Sequence, residues 1–419
     1  MDEVERRVLD AIDMDRLVSF LRELIAIPSL GGHERDAQDE VAAAMREIDL
    51  DVDDWNLDLA QLRSHPMFAM EVERTEGRGV VGTLRGEGGG KSLILNGHVD
   101  VVPPGDPANW RFPPWEGAVH DGRVHGRGSV DMKGGLACAL FAVKAIHDAG
   151  ARLRGSVILE SVIGEEDGGV GTLAACLRGY HADGAVVVEP TQLRVAPSQA
   201  GALTFRITVP GLSAHACVRE EGVSAFEKFL PIHAALLDLE RERNREVQDP
   251  LYRRYRLPFA LSLGRIEAGN WSSSVPESLV AEGRLGVRVG EDPEAARKAL
   301  EVAVRRAASA DAWLRDHPVK VEWWGGQFHP ASVPIDHPLP QTVAGALADA
   351  SGSAAAFEGM TYGSDMRLLI HVGKTPAVLF GPGDVRHAHR PNESVSLSDL
   401  RTMARTLALT VLRFCGAFA

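Results

Sequence analysis

Histidine and carboxylate side chains recur at places along this chain where an apolar, extended pattern gives out. The first place is Leu93-Ile-Leu-Asn-Gly-His98-Val-Asp100. Positions two apart on an extended chain point the same way, so His98 and Asp100 share a face. An imidazole binds metal best when its second ring nitrogen is fixed by an acceptor, which a carboxylate two residues on can supply. The second place is Gly126-Arg-Gly-Ser-Val-Asp131-Met-Lys-Gly-Gly135, where Asp131 stands directly before a helical pattern. Glu165 and Glu166, in Ile163-Gly-Glu165-Glu166-Asp167, follow a strand pattern, as does Glu189 in Val186-Val-Val-Glu189-Pro190-Thr191. A late histidine, His389 of Ala388-His389-Arg-Pro-Asn-Glu393, follows a strand pattern ending at Phe380.

Each place has a bland reading when taken alone. A strand-end His-x-Asp is a hydrogen-bonded surface pair, Asp131 an N-cap, Glu165-Glu166 a solvated turn and Glu189 a loop acid. Their coincidence outweighs those readings. Open α/β sheets put ligand sites at the carboxyl ends of their strands, and here four separate strand ends carry His or carboxylate. The cysteines Cys138, Cys176, Cys217 and Cys415 are dispersed and form no Cys-x-x-Cys pair. A metal here must therefore rely on imidazole and carboxylate, and no disulfide framework is expected.

These residues need elements to position them. Apolar spacing predicts helices over Asp13–Ile27 and Glu34–Met45, then strands over Val80–Thr83 and Ser92–Leu95. A Pro/Trp-rich loop leads to a long apolar helix over Met132–Ala149, with Gly150 just past its end. Strand Val157–Val162, a short helix at Gly171–Leu177 and strand Ala185–Val188 complete an alternation that indicates a largely parallel α/β sheet. After Pro197 the pattern changes. Leu203–Val209 alternates as a half-exposed strand should, followed by a helix over Ser224–Glu242, strands at Leu261–Glu267 and Ser278–Val289, a helix over Pro293–Ala310 and a last strand at Val319–Trp324. This block reads as an inserted α+β domain over residues 199–325. Residues 1–198 and 326–419 form the two parts of the α/β domain, the latter with a helix at Leu339–Ala350, strand Ala377–Phe380 and a helix from Ser398. Gly77-Arg-Gly-Val-Val-Gly82 fits the dinucleotide-binding spacing, but a strand and a turn follow it instead of a helix, which argues against a nucleotide.

With 419 residues, 45% hydrophobic and 25% charged, the chain has the composition of a globular protein of more than one structural unit. A net charge of −13 disfavours nucleic acid and anionic membranes as partners. The N-terminal stretch lacks the apolar core of a signal peptide, and no apolar run is long enough for a membrane span, so a soluble cytoplasmic protein is expected.

In its motifs the chain resembles the dizinc aminoacylase and carboxypeptidase family that includes acetylornithine deacetylase and succinyl-diaminopimelate desuccinylase. The matching segments are Gly97-His98-Val-Asp100, Gly126 to Gly135, Glu165-Glu166-Asp-Gly-Gly, Glu189-Pro-Thr, Gly211-Leu-Ser-Ala-His215-Ala and His389-Arg-Pro-Asn-Glu393. The resemblance implies a mostly parallel-sheet zinc-hydrolase domain with an inserted lid or dimerisation domain, and hence a homodimer. It implies that Asp131 bridges two zinc ions, for which cobalt or manganese could substitute. His98 and Glu189 would complete one metal's ligands, and Glu166 and His389 the other's, with Asp100 orienting His98. Three carboxylates leave such a pair one charge short of neutrality, which a bridging hydroxide would supply; zinc lowers the pKa of bound water to about 7. Glu165 looks like the general base, and His215 like the donor to the oxyanion, from its own subunit or from a partner's. The spacing to Asn392-Glu393 favours His389 over His387.

The substrate side is read less directly. Gly363-Ser364-Asp365-Met-Arg367 is similar to the desuccinylases' Ser-Asp-Gly-Arg stretch, so Ser364 and Arg367 become candidates for binding a substrate carboxylate, with Met366 in the glycine's place. Arg284 and Asn270 of the inserted domain are further candidates. The implied reaction is removal of the acyl group from a small N-acyl amino acid. A dipeptidase or carboxypeptidase using the same water attack, and a non-catalytic binding protein on the same scaffold, are the alternatives.

Overall fold

The computed structural model describes residues 1–418. The chain divides into two compact units, one of Met1–Ser198, Ser332–Met360 and the chain from Ser364, the other of Gln199–Ala331 and Thr361–Gly363. In chain order the first unit opens with α1 (Glu3–Asp10), α2 (Met14–Ala26), α3 (Arg35–Glu47), β1 (Asp51–Asn56), α4 (Leu59–Arg63), β2 (Arg78–Leu84) and β3 (Leu93–His98). It continues with β4 (Ala118–His120), β5 (Arg123–His125), α5 (Lys133–Asp148), β6 (Val157–Val162), α6 (Val170–Arg178), β7 (Gly184–Val187) and β8 (Val195–Gln199). The second unit holds β9 (Gly201–Pro210), α7 (Ala225–Asn244), β10 (Leu261–Ala268), β11 (Ser278–Val287), α8 (Pro293–Ser309), α9 (Ala312–Asp316) and β12 (Lys320–Phe328). The chain returns through β13 (Ala331–Ser332) to α10 (Pro338–Ser351), β14 (Phe357–Met360), α11 (Met366–His371), β15 (Ala377–Leu379), β16 (Ser394–Ser396) and α12 (Leu397–Cys415).

The main sheet runs β1-β2-β6-β3-β7-β15-β8-β13, with β14 also paired to β8. It is parallel at its centre, where β6, β3, β7 and β15 lie side by side, and antiparallel where β2 meets β1 and β6 and where β15 meets β8. The expectation of a mostly parallel sheet therefore holds for the centre alone. Helix α5 lies in the crossover from β3 to its parallel neighbour β6, and α6 in the crossover from β6 to β7. Every residue of β3 is buried, as its apolar run anticipates for a strand covered on both faces. Helix α5 is buried along nearly its whole length, and its small residues let it press close on the sheet.

The second unit is a four-stranded antiparallel sheet, β10-β11-β9-β12. Strand β9 alternates as its sequence does. Leu203, Phe205, Ile207 and Val209 are buried, while Thr204, Arg206 and Thr208 are not. The buried set packs with Phe229, Ile232 and Leu236 of α7 and Leu300 and Val304 of α8, each worth about 1.5–3 kcal/mol of burial. The last strand extends four residues beyond the predicted Trp324, to Phe328. Among the described residues no helix is long and apolar enough to cross a membrane.

One contact ties this packing to the candidate ligands. A Cβ added to Gly135 would lie 2.1 Å from the carbonyl oxygen of Val188, the residue before Glu189. Alanine is the better helix former by about 1 kcal/mol, but here the backbone clash outweighs that preference. Gly135→Ala should therefore destabilise the protein by about 1–3 kcal/mol, read as a lowered thermal midpoint. An unchanged or raised midpoint would show that α5 does not press on this strand end.

Candidate metal centre

Strand β3 ends at His98, β6 ends three residues before Glu165, and β7 ends two before Glu189, so the parallel core delivers all three to one edge of the sheet. Asp131 comes from the loop between β5 and α5. It is not the cap of that helix: Met132 occupies the cap position and no side chain makes a capping hydrogen bond. The Asp131 carboxylate instead lies between two imidazoles. Its Oδ1 is 3.3 Å from Nε2 of His98, and its Oδ2 is 3.3 Å from Nε2 of His389. Glu189 lies 3.8 Å from Nε2 of His98, and Glu166 2.9 Å from Nε2 of His389. His98, Asp131 and Glu166 place ligand atoms within 4.8 Å of one another, as do His98, Glu165 and Glu189.

The donor set fits divalent cations. His98, Glu165 and Glu189 are buried, yet Nε2 of His98 and Oε1 of Glu165 find no hydrogen-bond partner among the described residues. Such orphaned polar atoms are costly unless something binds them. Burial, together with neighbouring Glu189 and Asp365, raises the Glu165 carboxyl well above the ordinary range. Burial and Asp131 do the same to Glu189, and burial and Asp131 raise Glu166. For Asp131, the facing rings of His389 and His98 outweigh burial and hold the carboxyl low. Burial pulls His389 down, but Glu166 and Asp131 outweigh it and hold the ring up to about 11. His98 is likewise raised, against burial, by Asp100, Asp131 and Glu189. Crowded carboxylates of this kind attract positive charge, which protons on the rings or divalent ions can supply.

Asp100 does more than face His98. The chain leaves the ladder after His98, and the Asp100 backbone carbonyl, at 2.9 Å, accepts from Nδ1 of the ring. Its carboxylate is farther from that nitrogen, at 3.6 Å, and accepts instead from the backbone N–H of Glu166 at 3.0 Å. The carboxylate would be the partner of the ring only if the strand continued past His98. One residue thus orients His98 through its carbonyl and Glu166 through its side chain.

The other candidates fall elsewhere. Ser364 and Arg367 are fully buried. Arg367 donates to the carbonyl of Gly168 at 2.7 Å and to that of Ser364 at 3.3 Å, with Asp365 3.5 Å away. Its guanidinium therefore supports the turn after Glu165-Glu166 instead of facing outward. His215, Asn270 and Arg284 lie in the second unit. His215 pairs with Ser274 across two loops, which brings it near the turn of Asn270, while Arg284 donates to the carbonyl of Thr361 at 2.9 Å. His387 is half-buried in a short 3₁₀ turn; it is His389 that meets Asp131 and Glu166.

Sequence reasoning missed the buried braces. Arg74 is fully buried and joins Glu34 at 2.8 Å to Asp167 at 2.7 Å, and Asp167 also accepts from the N–H of Val72 at 2.8 Å. This pins the turn beside Glu166. Arg74 stands in a stretch with no periodic signal, so nothing in the sequence pointed to it. Beneath the site Asn96 donates to Glu160 at 2.9 Å and to Thr172 at 3.0 Å, and Thr172 donates to Asp365 at 2.6 Å. Polar residues inside the apolar runs of β3 and β6 were the available sign of this network.

The profile of peptidase family M20/M25/M40 matches residues 94–413 of the chain. An N-formyl-4-amino-5-aminomethyl-2-methylpyrimidine deformylase of Bacillus subtilis is 32% identical over 363 residues, covering 80% of this chain and 83% of the relative. A succinyl-diaminopimelate desuccinylase of Gluconacetobacter diazotrophicus is 30% identical, over 65% of this chain and 67% of the relative. Among solved structures, a dipeptidase from Saccharomyces cerevisiae superposes with a TM-score of 0.78 at 13% identity, covering 99% of both chains. At that identity the likeness establishes the fold alone.

The buried network has a pH signature. Burial first, and then Asp365, push Glu160 up to about 7 from an ordinary 4.5, against the hydrogen bond from Asn96. The folded protein then holds this proton where the unfolded chain has lost it, so stability falls as pH rises from 4.5 to 7. Glu160→Gln removes that slope. Its thermal midpoint relative to wild type should rise between pH 5 and pH 8, by an amount on the order of 1–3 kcal/mol in stability. A difference that does not change with pH would exclude Glu160 as a titrating group.

Proposed function

The chain belongs to peptidase family M20/M25/M40 and is a hydrolase of amide bonds; from that premise we propose that it removes a small acyl group from an amine nitrogen with the help of two divalent cations. The carrying observation is the Asp131 carboxylate, whose two oxygens each face a different histidine, beside a buried Glu165 whose Oε1 has no hydrogen-bond partner among the described residues. His98, Glu189 and Asp131 would hold one ion, and Asp131, Glu166 and His389 the other. Zinc is the proposed metal; the same imidazole and carboxylate ligands accept cobalt or manganese. Bound there, the pair supplies Lewis acidity, acidifying water and polarising a carbonyl.

The chain's own residues supply the proton traffic. Glu165 lies within 4.0 Å of Nε2 of His98 through Oε2, and its Oε1 is free to take a proton from water and return it to the leaving nitrogen. We assign the oxyanion donor to His215. Its Nδ1 accepts from the N–H of Cys217 at 3.2 Å, so the neutral ring carries its proton on Nε2 and can donate from there.

For the substrate, the relatives' names give two leads: a formyl group on an aminomethylpyrimidine, and a succinyl group on a diamino acid. The buried, spent guanidinium of Arg367 speaks against its capture of a substrate carboxylate and is compatible with an amine that carries none. We therefore propose small N-acyl amines, N-acyl amino acids among them, with di- and tripeptides as the alternative. The enzyme is further proposed to be a cytoplasmic homodimer. Light scattering should give twice the chain mass, and a monomer at all concentrations would remove the dimer.

The test is a hydrolysis panel with zinc- and cobalt-loaded protein: an N-formyl aminomethylpyrimidine, N-acetyl and N-succinyl amino acids, and dipeptides. Formyl and acetyl amides should turn over faster than dipeptides, and activity should vanish on chelation and return with metal. Dominant dipeptide cleavage would decide for the peptidase. Glu165→Gln should lower kcat by roughly 10²–10⁴-fold with metal content unchanged, and full activity in that variant would remove Glu165 from the mechanism.

A further inference from the structure

The two residues that flank the second cation position come from loops distant in sequence, and one buried carboxylate joins those loops. Glu393 is fully buried. Its Oε1 accepts from the backbone N–H of Val130 at 3.0 Å and of Asp131 at 3.2 Å. Its Oε2 pairs with the guanidinium of Arg127, itself buried and stacked over Trp110. The Glu393 carbonyl accepts from the N–H of Gly126 at 3.0 Å, and the next residues, Ser394–Ser396, pair as β16 with β5. The loop bearing Asp131 and the end of the loop bearing His389 therefore meet at this one residue.

His389 depends on that anchor. Its side chain is 53% exposed, and its hydrogen-bond and ion-pair partners among the described residues are Asp131 and Glu166. It sits at φ 56° in the left-handed region, as does Asn392 at φ 62°. Asn392 closes the loop from outside, accepting from the N–H of Arg111 at 2.6 Å and donating to the carbonyl of Asn109 at 3.1 Å. The other side of the centre has a different frame. His98 and Glu189 issue from β3 and β7, which pair with each other in the main sheet.

We propose that Glu393 is a positioning residue for the second cation, setting the separation of Asp131 and His389 by binding the backbone of one loop from its place in the other. This rests on the two-ion reading above. A carboxylate is needed because every group around it is a donor: two backbone N–H groups on one oxygen and a guanidinium on the other. Glutamine keeps the shape, but its NH₂ must then face a donor, either Arg127 or the backbone pair. Groups that orient metal ligands from behind change metal affinity by about 10–100-fold when altered. The effect should be split between the sites, because the sheet holds His98 and Glu189 whatever Glu393 does.

The experiment is a Co²⁺ titration of the metal-free full chain, followed by calorimetry and by the visible spectrum of the bound ion, with zinc content after dialysis as a check. Wild type should take up two ions. Glu393→Gln should bind the first ion within about threefold of wild type and the second roughly 10-fold or more weakly. It should match His389→Ala in stoichiometry, and adding it to His389→Ala should cost little more, as two changes acting through one site do. A residue that only supports the fold would lower the thermal midpoint without separating the two affinities. If Glu393→Gln does not fold, Glu393→Asp decides: it keeps the charge for Arg127 but is one methylene too short to reach both N–H groups, so the second ion should again be the weaker. Two unchanged affinities in the folded variant would overturn the role of Glu393 and leave the proposed function standing. A wild-type protein that binds no divalent ion would overturn both.

Discussion

Four carboxylates, from Asp131, Glu165, Glu166 and Glu189, are gathered around two imidazoles at one edge of a buried sheet. Taking that many like charges out of water is unfavourable, and their mutual repulsion adds to the cost. The arrangement persists only if positive charge is brought in and if the backbone is too well held to let the carboxylates spread. The rest of the first unit can be understood as meeting that second condition. Parallel strands fix three attachment points, and Gly135 lets α5 press against the third.

The loops leaving those strands are held from behind by buried polar groups. Asp100 binds His98 with its carbonyl and Glu166 with its side chain. Arg74 fixes Asp167, Arg367 fixes Gly168, and Glu393 fixes the backbone of Asp131. Each of these braces is a charged group with little access to water, held in place by the hydrogen bonds and ion pairs it makes to these loops. A turn carrying two glutamates is thereby held so that Oε1 of one of them, Glu165, has no hydrogen-bond partner among the described residues.

Much of the site was legible because chemistry and local pattern coincide there. The strand runs before His98, Glu165 and Glu189 are apolar enough to be read directly, and the residues that follow them are of metal-binding type. The second unit was legible for a similar reason, since the alternation in β9 can serve only a sheet with one covered face. The outer strands of the main sheet were not. β1 is at most half-buried and carries three aspartates, so neither its composition nor its period stands out. A motif does not say which way a guanidinium points, and that of Arg367, in a segment similar to a substrate-binding stretch, turns inward to the carbonyl of Gly168.

The sequence by itself determined the kinds of candidate ligand, the order in which they come and the strand ends that carry them, because those follow from side-chain chemistry and from the two-residue period of an extended chain. Tertiary structure alone decided which oxygen faces which histidine, that Asp100 works through its carbonyl as well as its carboxylate, and that Arg74, Arg367 and Glu393 brace the loops. Those outcomes depend on contacts between residues far apart in sequence, 266 positions in the case of Arg127 and Glu393, and on burial, which no local pattern encodes.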